Sequence, residues 1–232
     1  MGAGLRQGAV AATAALGCAA LLLLAPAPAL ALDAEQLRVA AAGLGPRAEA
    51  GARDLLALVQ RLAAADEVVK AREVNEFYNA RIRYDSDMAV WNQQEYWASP
   101  LQTLDKGRGD CEDFVIAKYF TLVAAGVPHA KLRMAYVAIS VPPAAPERPG
   151  ETSVAHMVLA YYPQPSAEPL ILDNVVREMH PASLRTDLSP PTYVFNAEGT
   201  WRAQAGQDRR LGDASKMARW PDLASRVRAE GF

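Results

Sequence analysis

The sequence has few cysteines and no excess of either charge. Two cysteines occur among 232 residues, and 24 Lys and Arg stand against 26 Asp and Glu, so the formal net charge at pH 7 is −2. Binding to a nucleic acid backbone requires a basic surface, so this balance argues against nucleic acid partners. The remaining composition, with 51% hydrophobic and 22% charged residues, is typical of a globular protein and predicts one domain.

The first 31 residues have the pattern of a secretory signal peptide. Arg6 precedes an apolar run over residues 9–24, and small residues alternate in Ala29-Leu30-Ala31. Because the run is short for a membrane span and prolines follow it, we predict cleavage after Ala31, a periplasmic location and a single domain over residues 32–232. Two alternatives stay open, namely retention of the signal as an anchor and lipidation at Cys18.

Cleavage of the signal leaves Cys111 as the one cysteine of the exported chain. An internal disulfide is then excluded, although exported proteins usually pair their cysteines. A lone thiol is either a buried, inert side chain or a reactive group, and its neighbours must decide between the two.

Helical patterns fill the first half of the chain and strand patterns the second. Residues 32–80 are rich in helix formers with breaks at Gly43, Gly45, Pro46 and Gly51, and residues 110–125 have an acidic start, an apolar body and a glycine beyond the end. Strands are predicted at residues 132–141, 153–162, 169–176 and 192–196. Helices followed by antiparallel strands predict an α+β domain, with N-terminal helices packed on the sheet.

Cys111 lies at the start of the helix predicted over residues 110–125, with Asp110 as the N-cap. The free N–H groups and the dipole of a helix start favour a thiolate. The negative charges of Asp110, Glu112 and Asp113 raise the pKa of the same thiol unless something neutralises them. The position becomes informative only if a base is nearby.

Of the three histidines, His156 is the candidate base. His129 and His180 adjoin prolines and are interpreted as solvated loop residues. His156 lies in a strand that is apolar on both faces, so its imidazole needs a hydrogen-bonding partner. A four-residue turn at residues 163–166 would place Asp173 directly opposite His156 in a hairpin, whereas a turn one residue longer or shorter would not.

These three residue types suit nucleophilic catalysis. Cys111 would attack an acyl carbon, His156 would take the thiol proton and return it to the leaving amine, and Asp173 would orient the imidazole. The backbone N–H of Cys111 is a first candidate for the oxyanion hole. The structural alternative is that His156 and Asp173 form a buried core pair and that Cys111 only fills space.

The segments around these residues resemble the motif blocks of the bacterial transglutaminase-like cysteine proteinases, specifically the periplasmic LapG type. The blocks are GRGDCEDF at residues 107–114, HMVL at residues 156–159 and LDN at residues 172–174. The resemblance implies a papain-like, transglutaminase-core fold and a Cys111, His156, Asp173 triad that performs proteolysis rather than cross-linking.

The resemblance also implies a substrate and a partner. Members of the family cleave the N-terminal region of large surface adhesins beside a pair of alanines, which releases the adhesins and disperses biofilm. An inner-membrane receptor for cyclic di-GMP is expected to sequester the protease when that messenger is abundant.

Calcium is the cofactor that the resemblance implies, with Asp110, Glu112 and Asp113 at the matching positions. Three carboxylates within four residues repel one another, and Ca²⁺ takes six to eight oxygen ligands. Asp85 and Asp87 could add oxygens, although their segment is more simply a turn. The alternative without metal is that the three acids cap the helix and complement its dipole.

Two other functions stay open. The same triad could transfer an acyl group to an amine, as in transglutaminases, or hydrolyse an amide of a small cell-wall peptide. The chain could also be a non-catalytic binding module whose acidic helix start docks calcium and a membrane receptor.

Overall fold

The computed structural model describes residues 1–2, 32–141, 152–202 and 209–232. Apart from its first two positions, the predicted signal peptide lies outside the described residues. Within these ranges, no helix combines the length and the hydropathy that crossing a bilayer would require.

Three helices form the N-terminal part, in agreement with the pattern of residues 32–80. They are α1 (Ala34–Leu44), α2 (Pro46–Leu62) and α3 (Glu67–Arg81). Gly45 separates the first two with a φ of 121°, and Pro46 then begins α2. The breaks predicted at Gly43 and Gly51 are wrong. Gly43 lies inside α1. Gly51 lies inside α2, and a Cβ there would come within 2.8 Å of Leu104 Cβ, so it serves close helix packing instead.

A small parallel ladder brings the next segments together. β1 (Arg83–Tyr84) pairs with β2 (Arg108–Gly109), and the short helices α4 (Asp87–Trp91) and α5 (Pro100–Lys106) lie between them in the chain. α6 (Cys111–Ala124) starts directly after β2 and is buried along most of its length. The ladder therefore places the start of α4 beside the start of α6.

The main sheet has seven antiparallel strands in the order β6-β5-β4-β3-β7-β8-β9. The strands are β3 (Leu132–Ser140), β4 (Ser153–Tyr161), β5 (Leu170–Leu172), β6 (His180–Pro181), β7 (Tyr193–Asn196), β8 (Gly199–Arg202) and β9 (Arg209–Gly212). The final helix is α7 (Trp220–Ala229), which has Pro221 in its first turn. At one edge of the sheet lie β8 and β9, two strands that the sequence patterns did not predict.

The two faces of the sheet differ in what covers them. Met157, Leu159 and Tyr161 of β4 belong to the large core shared with the helices. Val158 and Ala160 point to the opposite face, where they form a smaller apolar cluster. His156 shares the alternation of Val158 and Ala160, so it belongs to the side of the sheet away from the helices.

The predicted hairpin register is wrong by two residues. Leu159 pairs with Leu172 and Tyr161 with Leu170, so the connection spans residues 162–169 rather than a four-residue turn. This connection contains three prolines, which lack the N–H that strand pairing needs. Asp173 therefore follows the end of β5 and does not stand directly opposite His156. A shift of two residues keeps both side chains on the same face.

Candidate active site and metal centre

Cys111 is the first residue of α6, as predicted, and is partly buried. Its Sγ donates a hydrogen bond to Oε2 of Glu112 at 2.8 Å. Burial, and then the charge of Glu112, raises the pKa of the thiol well above its usual range, while a backbone hydrogen bond from Met157 acts in the opposite direction. The thiol is therefore protonated in this arrangement.

The bond from Met157 locates the thiol relative to β4. One edge of β4 is occupied by β3, and the other edge is paired with β5 only from Leu159 onward. The N–H of Met157 points to this second edge, at a point that β5 has already left, and it is the backbone group that lowers the pKa of the thiol. The start of α6 thus occupies the sheet edge next to His156, although Sγ is turned to Glu112 rather than to the imidazole.

His156 and Asp173 form a buried pair. Nε2 of His156 lies 2.8 Å from Oδ1 of Asp173, and the two residues are 5% and 1% exposed. The same oxygen accepts the backbone N–H groups of Asn174 at 2.6 Å and Val175 at 3.1 Å. Despite burial, the hydrogen bond and charge of His156 hold the pKa of Asp173 well below its usual range, so the carboxylate is ionised. Nδ1 is the ring nitrogen left for another partner.

Three further side chains donate hydrogen bonds to Asp173. Arg185 donates from Nη2 to Oδ2 at 2.7 Å. The backbone carbonyl of Asp173 accepts Asn79 Nδ2 at 2.7 Å and Lys118 Nζ at 3.0 Å. None of these three contacts is predicted from the sequence, because Arg185 and Asn79 are distant in the chain and Lys118 carries no signal beyond being a cation in an apolar helix.

The expectation that the other two histidines are solvated loop residues is wrong. His129 is half-buried and its Nδ1 lies 2.6 Å from the hydroxyl of Tyr119. Burial lowers the pKa of His129. His180 is half-buried in β6, paired with Ile171.

Three carboxylates from two segments converge beside the thiol, and we call Asp87, Asp110 and Asp113 the acidic cluster. One oxygen from each lies within 4.8 Å of the others. The backbone N–H of Asp85 donates to the carbonyl of Gly109 at 2.9 Å, which continues the β1–β2 ladder and sets the start of α4 against that of α6. Asp87, whose segment seemed a simple turn, is therefore a member of the cluster.

Several oxygens of the acidic cluster are buried without a donor. Oδ1 of Asp87, Oδ1 of Asp110 and Oδ2 of Asp113 have no hydrogen-bond partner among the described residues. Their second oxygens are partly used, since Asp87 accepts the N–H of Tyr96 at 2.5 Å and Asp113 that of Ala98 at 2.8 Å. Unpaired buried oxygens of this kind are costly, and a cation is what they lack.

The electrostatics of the acidic cluster agree with this description. Burial, and then the charges of Glu112 and Asp113, raises the pKa of Asp110 to about 9. Burial is also the main cause that raises the pKa of Asp113 to about 7 and moves that of Asp87 upward. Repulsion among the carboxylates is thus not relieved by the protein itself.

The acidic cluster fits calcium better than it fits helix capping. Ca²⁺ binds oxygens at about 2.3–2.6 Å, so two ligand atoms of one ion stand at most about 5 Å apart, and the three oxygens of the cluster lie within 4.8 Å of one another. Asp110 occupies the N-cap position, yet its side chain makes no capping hydrogen bond. At Gly109 a side chain would overlap the carboxylate of Asp113, so the glycine leaves room for the cluster.

The predicted ligand set of Asp110, Glu112 and Asp113 is only partly brought together. Asp110 and Asp113 lie in the acidic cluster with Asp87. The carboxylate of Glu112 instead accepts the thiol of Cys111, so the structure does not place it with the other two. Consecutive residues of a helix start point in different directions, which is why neighbours in sequence do not share one site.

The chain matches a known family over more than half its length. A family model of the bacterial transglutaminase-like cysteine proteinases (BTLCP) matches residues 56–184. No curated protein was found to match the chain.

Solved structures of Legionella pneumophila LapG are similar to this chain over most of its length. One is 36% identical with a TM-score of 0.69, and covers 85% of this chain and 97% of its own. An EGTA-treated form has 35% identity, a TM-score of 0.70, and coverage of 85% and 98%. A calcium-bound form has 35% identity, a TM-score of 0.67, and coverage of 84% and 98%. The expected α+β fold of a transglutaminase-like cysteine protease is confirmed.

Proposed function

Because the chain belongs to the bacterial transglutaminase-like cysteine proteinase family, we propose that it is a calcium-dependent endopeptidase in which Cys111, His156 and Asp173 form the catalytic triad. The observation that carries the proposal is the buried His156–Asp173 hydrogen bond on the strand whose free edge receives Cys111. A core pair would satisfy the imidazole equally well, but it would not account for a thiol at the edge of the same strand.

The proposed reaction begins with proton transfer from Sγ of Cys111 to Nδ1 of His156. For this transfer the thiol must turn from Glu112 toward the imidazole. The thiolate attacks the carbonyl carbon of the scissile peptide bond, and the backbone N–H of Cys111 stabilises the oxyanion. The imidazolium then protonates the leaving amine, which leaves a thioester on Cys111. Water, deprotonated by His156, hydrolyses the thioester and restores the thiol.

Asp173 keeps the imidazole in one orientation during both steps. Because Oδ1 of Asp173 accepts Nε2–H, the lone pair of the neutral ring lies on Nδ1. The ionised carboxylate also stabilises the imidazolium that forms after the first proton transfer. The pair is nearly inaccessible to solvent, which strengthens this interaction.

The acidic cluster would hold Ca²⁺ through oxygens of Asp87, Asp110 and Asp113. When bound, the ion supplies positive charge that offsets the carboxylates beside the nucleophile, which otherwise oppose a thiolate. The calcium-bound and EGTA-treated forms of Legionella LapG support this assignment by similarity. Glu112, which the sequence analysis included in the ligand set, remains a candidate ligand only if it releases the thiol.

The proposed substrate is the N-terminal region of a large surface adhesin, cleaved near a pair of alanines. The similarity to LapG over most of both chains supports it, and the signal-like residues 1–31 support action in the periplasm. Cleavage there would release the adhesin and promote biofilm dispersal, and an inner-membrane receptor for cyclic di-GMP would act as the inhibitory partner.

The decisive experiment incubates the purified protein with recombinant N-terminal segments of large exported repeat proteins from the same genome, with calcium or with EGTA. We expect one cut, located by mass spectrometry, that requires calcium and is lost in Cys111→Ala. Cleavage by Cys111→Ala would refute the mechanism. A labelled amine in the same reaction separates hydrolysis from acyl transfer, because an amine-linked product in excess of the hydrolysed one would assign the triad to transglutamination.

A further inference from the structure

Arg185 is buried on the side of the sheet that carries His156. It is 4% exposed, and its guanidinium touches two carboxylates. Nη2 donates to Oδ2 of Asp173 and to Oδ2 of Asp187, each at 2.7 Å, and Nε donates to Oδ1 of Asp187 at 2.9 Å. Asp187 therefore binds the Nε–Nη2 edge of the guanidinium with both oxygens, and Nη2 also donates to Asp173.

The segment that carries Asp187 is bound to β3 of the main sheet. The N–H of Ser140, the last residue of β3, donates to the carbonyl of Asp187 at 2.8 Å. The N–H of Ser189 donates to the carbonyl of Ala138 at 2.8 Å, and Leu188 forms a bridge with Ile139. Asp187 is thus attached to β3, whereas Asp173 follows β5.

His156 lies between these two anchors, because β4 separates β3 from β5 in the sheet. Asp187, Arg185 and Asp173 form a line of alternating charges that crosses β4 and ends at the imidazole. The other cation that touches Asp173 is Lys118, which binds its backbone carbonyl and leaves the carboxylate to Arg185 and His156.

The two oxygens of Asp173 have different partners. Oδ1 accepts three donors, from His156, Asn174 and Val175, whereas Oδ2 accepts Arg185 alone among the hydrogen bonds of the described residues. Without Arg185 the buried Oδ2 would have no donor, and rotation of the carboxylate would become a way to share the remaining donors. Rotation would move Oδ1 away from Nε2 of His156.

We propose that Arg185 is a positioning residue for the reaction, holding the Asp173 carboxylate so that Oδ1 stays on Nε2 of His156 and Nδ1 is presented to Cys111. This inference rests on the proposed function, since it assigns a role within the same triad. Stability alone explains the residue poorly. Nη1 of Arg185 is buried without a hydrogen-bond partner among the described residues, and a well-packed apolar group would avoid that cost.

The test compares purified Arg185→Met, Arg185→Lys and Asp187→Ala with the wild type in calcium. Arg210→Met is the matched control, because Arg210 also pairs with a nearby aspartate, Asp213, but lies exposed at the other end of the sheet. The first readout is the tautomer of His156 from the ¹⁵N spectrum of histidine-labelled protein. The chain has three histidines, so a His156→Gln sample assigns the signal. The second readout is kcat and KM on the adhesin segment that the wild type cleaves.

In Arg185→Met we expect a mixed tautomer and a kcat about 10- to 100-fold lower with KM within about twofold, a smaller loss than the roughly 10⁴-fold of a wrong tautomer. The loss of kcat should be smaller in Arg185→Lys, which keeps the positive charge but not the planar guanidinium. It should also be smaller in Asp187→Ala, which removes only the carboxylate that holds Arg185. Arg210→Met should match the wild type in both readouts.

An unchanged tautomer in Arg185→Met overturns the inference, whether or not kcat falls. An equal loss in Arg210→Met overturns it as well. If Arg185→Met does not fold, wild-type spectra and kcat in both Arg185→Lys and Asp187→Ala are the refuting result. The spectroscopic readout needs no substrate, so absence of cleavage by the wild type would refute the proposed function while the tautomer still decides the role of Arg185.

Discussion

Replacing Asp110 with Asn should have opposite effects on stability without and with calcium. Without a cation the carboxylates of the acidic cluster repel one another, whereas with a cation they serve as its ligands. Burial, and then the charges of Glu112 and Asp113, raises the pKa of Asp110 from 3.8 to about 9. At about 1.4 kcal/mol per unit, and with a reduction for its partial exposure, this group costs the calcium-free fold on the order of 3 kcal/mol at pH 7.5.

In EGTA, Asp110→Asn should therefore melt higher than the wild type. A chain of this size gains about 2–4 °C for each kcal/mol, so the expected rise is about 6–12 °C. In the wild type, calcium at about 100 times its Kd should add roughly 2.7 kcal/mol, which is again about 5–10 °C. In Asp110→Asn the calcium-induced rise should shrink to below about 2 °C, because one ligand is lost.

Differential scanning calorimetry in calcium and in EGTA measures all four melting temperatures. Asp54→Asn is the control, since Asp54 is exposed, pairs with Arg81 and is not a member of the cluster. Its calcium response should equal that of the wild type. A wild type that melts at the same temperature in calcium and EGTA, or an Asp110→Asn variant that melts lower in EGTA, would show that the cluster is not a cation site.

Four further outcomes follow from the structure. Because the pKa values of the acidic cluster are raised, the calcium-free fold binds more protons than the unfolded chain, and its free energy of unfolding should fall as the pH rises from about 4 to 9. Urea titrations at several pH values measure this fall. A fall of equal size in the presence of calcium would contradict the assignment. Burial raises the pKa of Glu230 from 4.5 to about 7, so stability from this group is lost as pH rises through that range, and Glu230→Gln should flatten the loss by on the order of 3 kcal/mol. Gly51→Ala should cost about 1–3 kcal/mol because its Cβ would meet Leu104, whereas Gly43→Ala, with open space around it, should be neutral or stabilising; equal melting of the two would refute the packing argument. Cys111→Ala should abolish cleavage while melting in calcium as the wild type does.

Local patterns were enough to locate the thiol and most of the elements. The acidic start and glycine-terminated end of residues 110–125 predicted α6 to within one residue at each end. The strands β3, β4 and β7 were likewise predicted closely, because β-branched and aromatic runs bounded by prolines are short-range signals. Helix starts and strand runs depend on neighbours in the chain, which the sequence contains.

Contacts between distant segments were predicted less well. The His156–Asp173 pair is present, but the direct opposition used to predict it is not, since the proline-containing connection is longer than four residues. Strand register depends on loop length and on the face that is buried, and a pattern of alternating residues does not determine the loop.

The sequence by itself determined that a thiol begins a buried helix, that one histidine lies in an apolar strand, and that acidic residues surround the thiol. These properties depend on residue type and local order. Only the tertiary structure decided that Asp87 rather than Glu112 completes the acidic cluster, and that Arg185 reaches Asp173 across β4. The β1–β2 ladder and the sheet order bring these residues together, and such juxtapositions arise from packing of segments far apart in the chain.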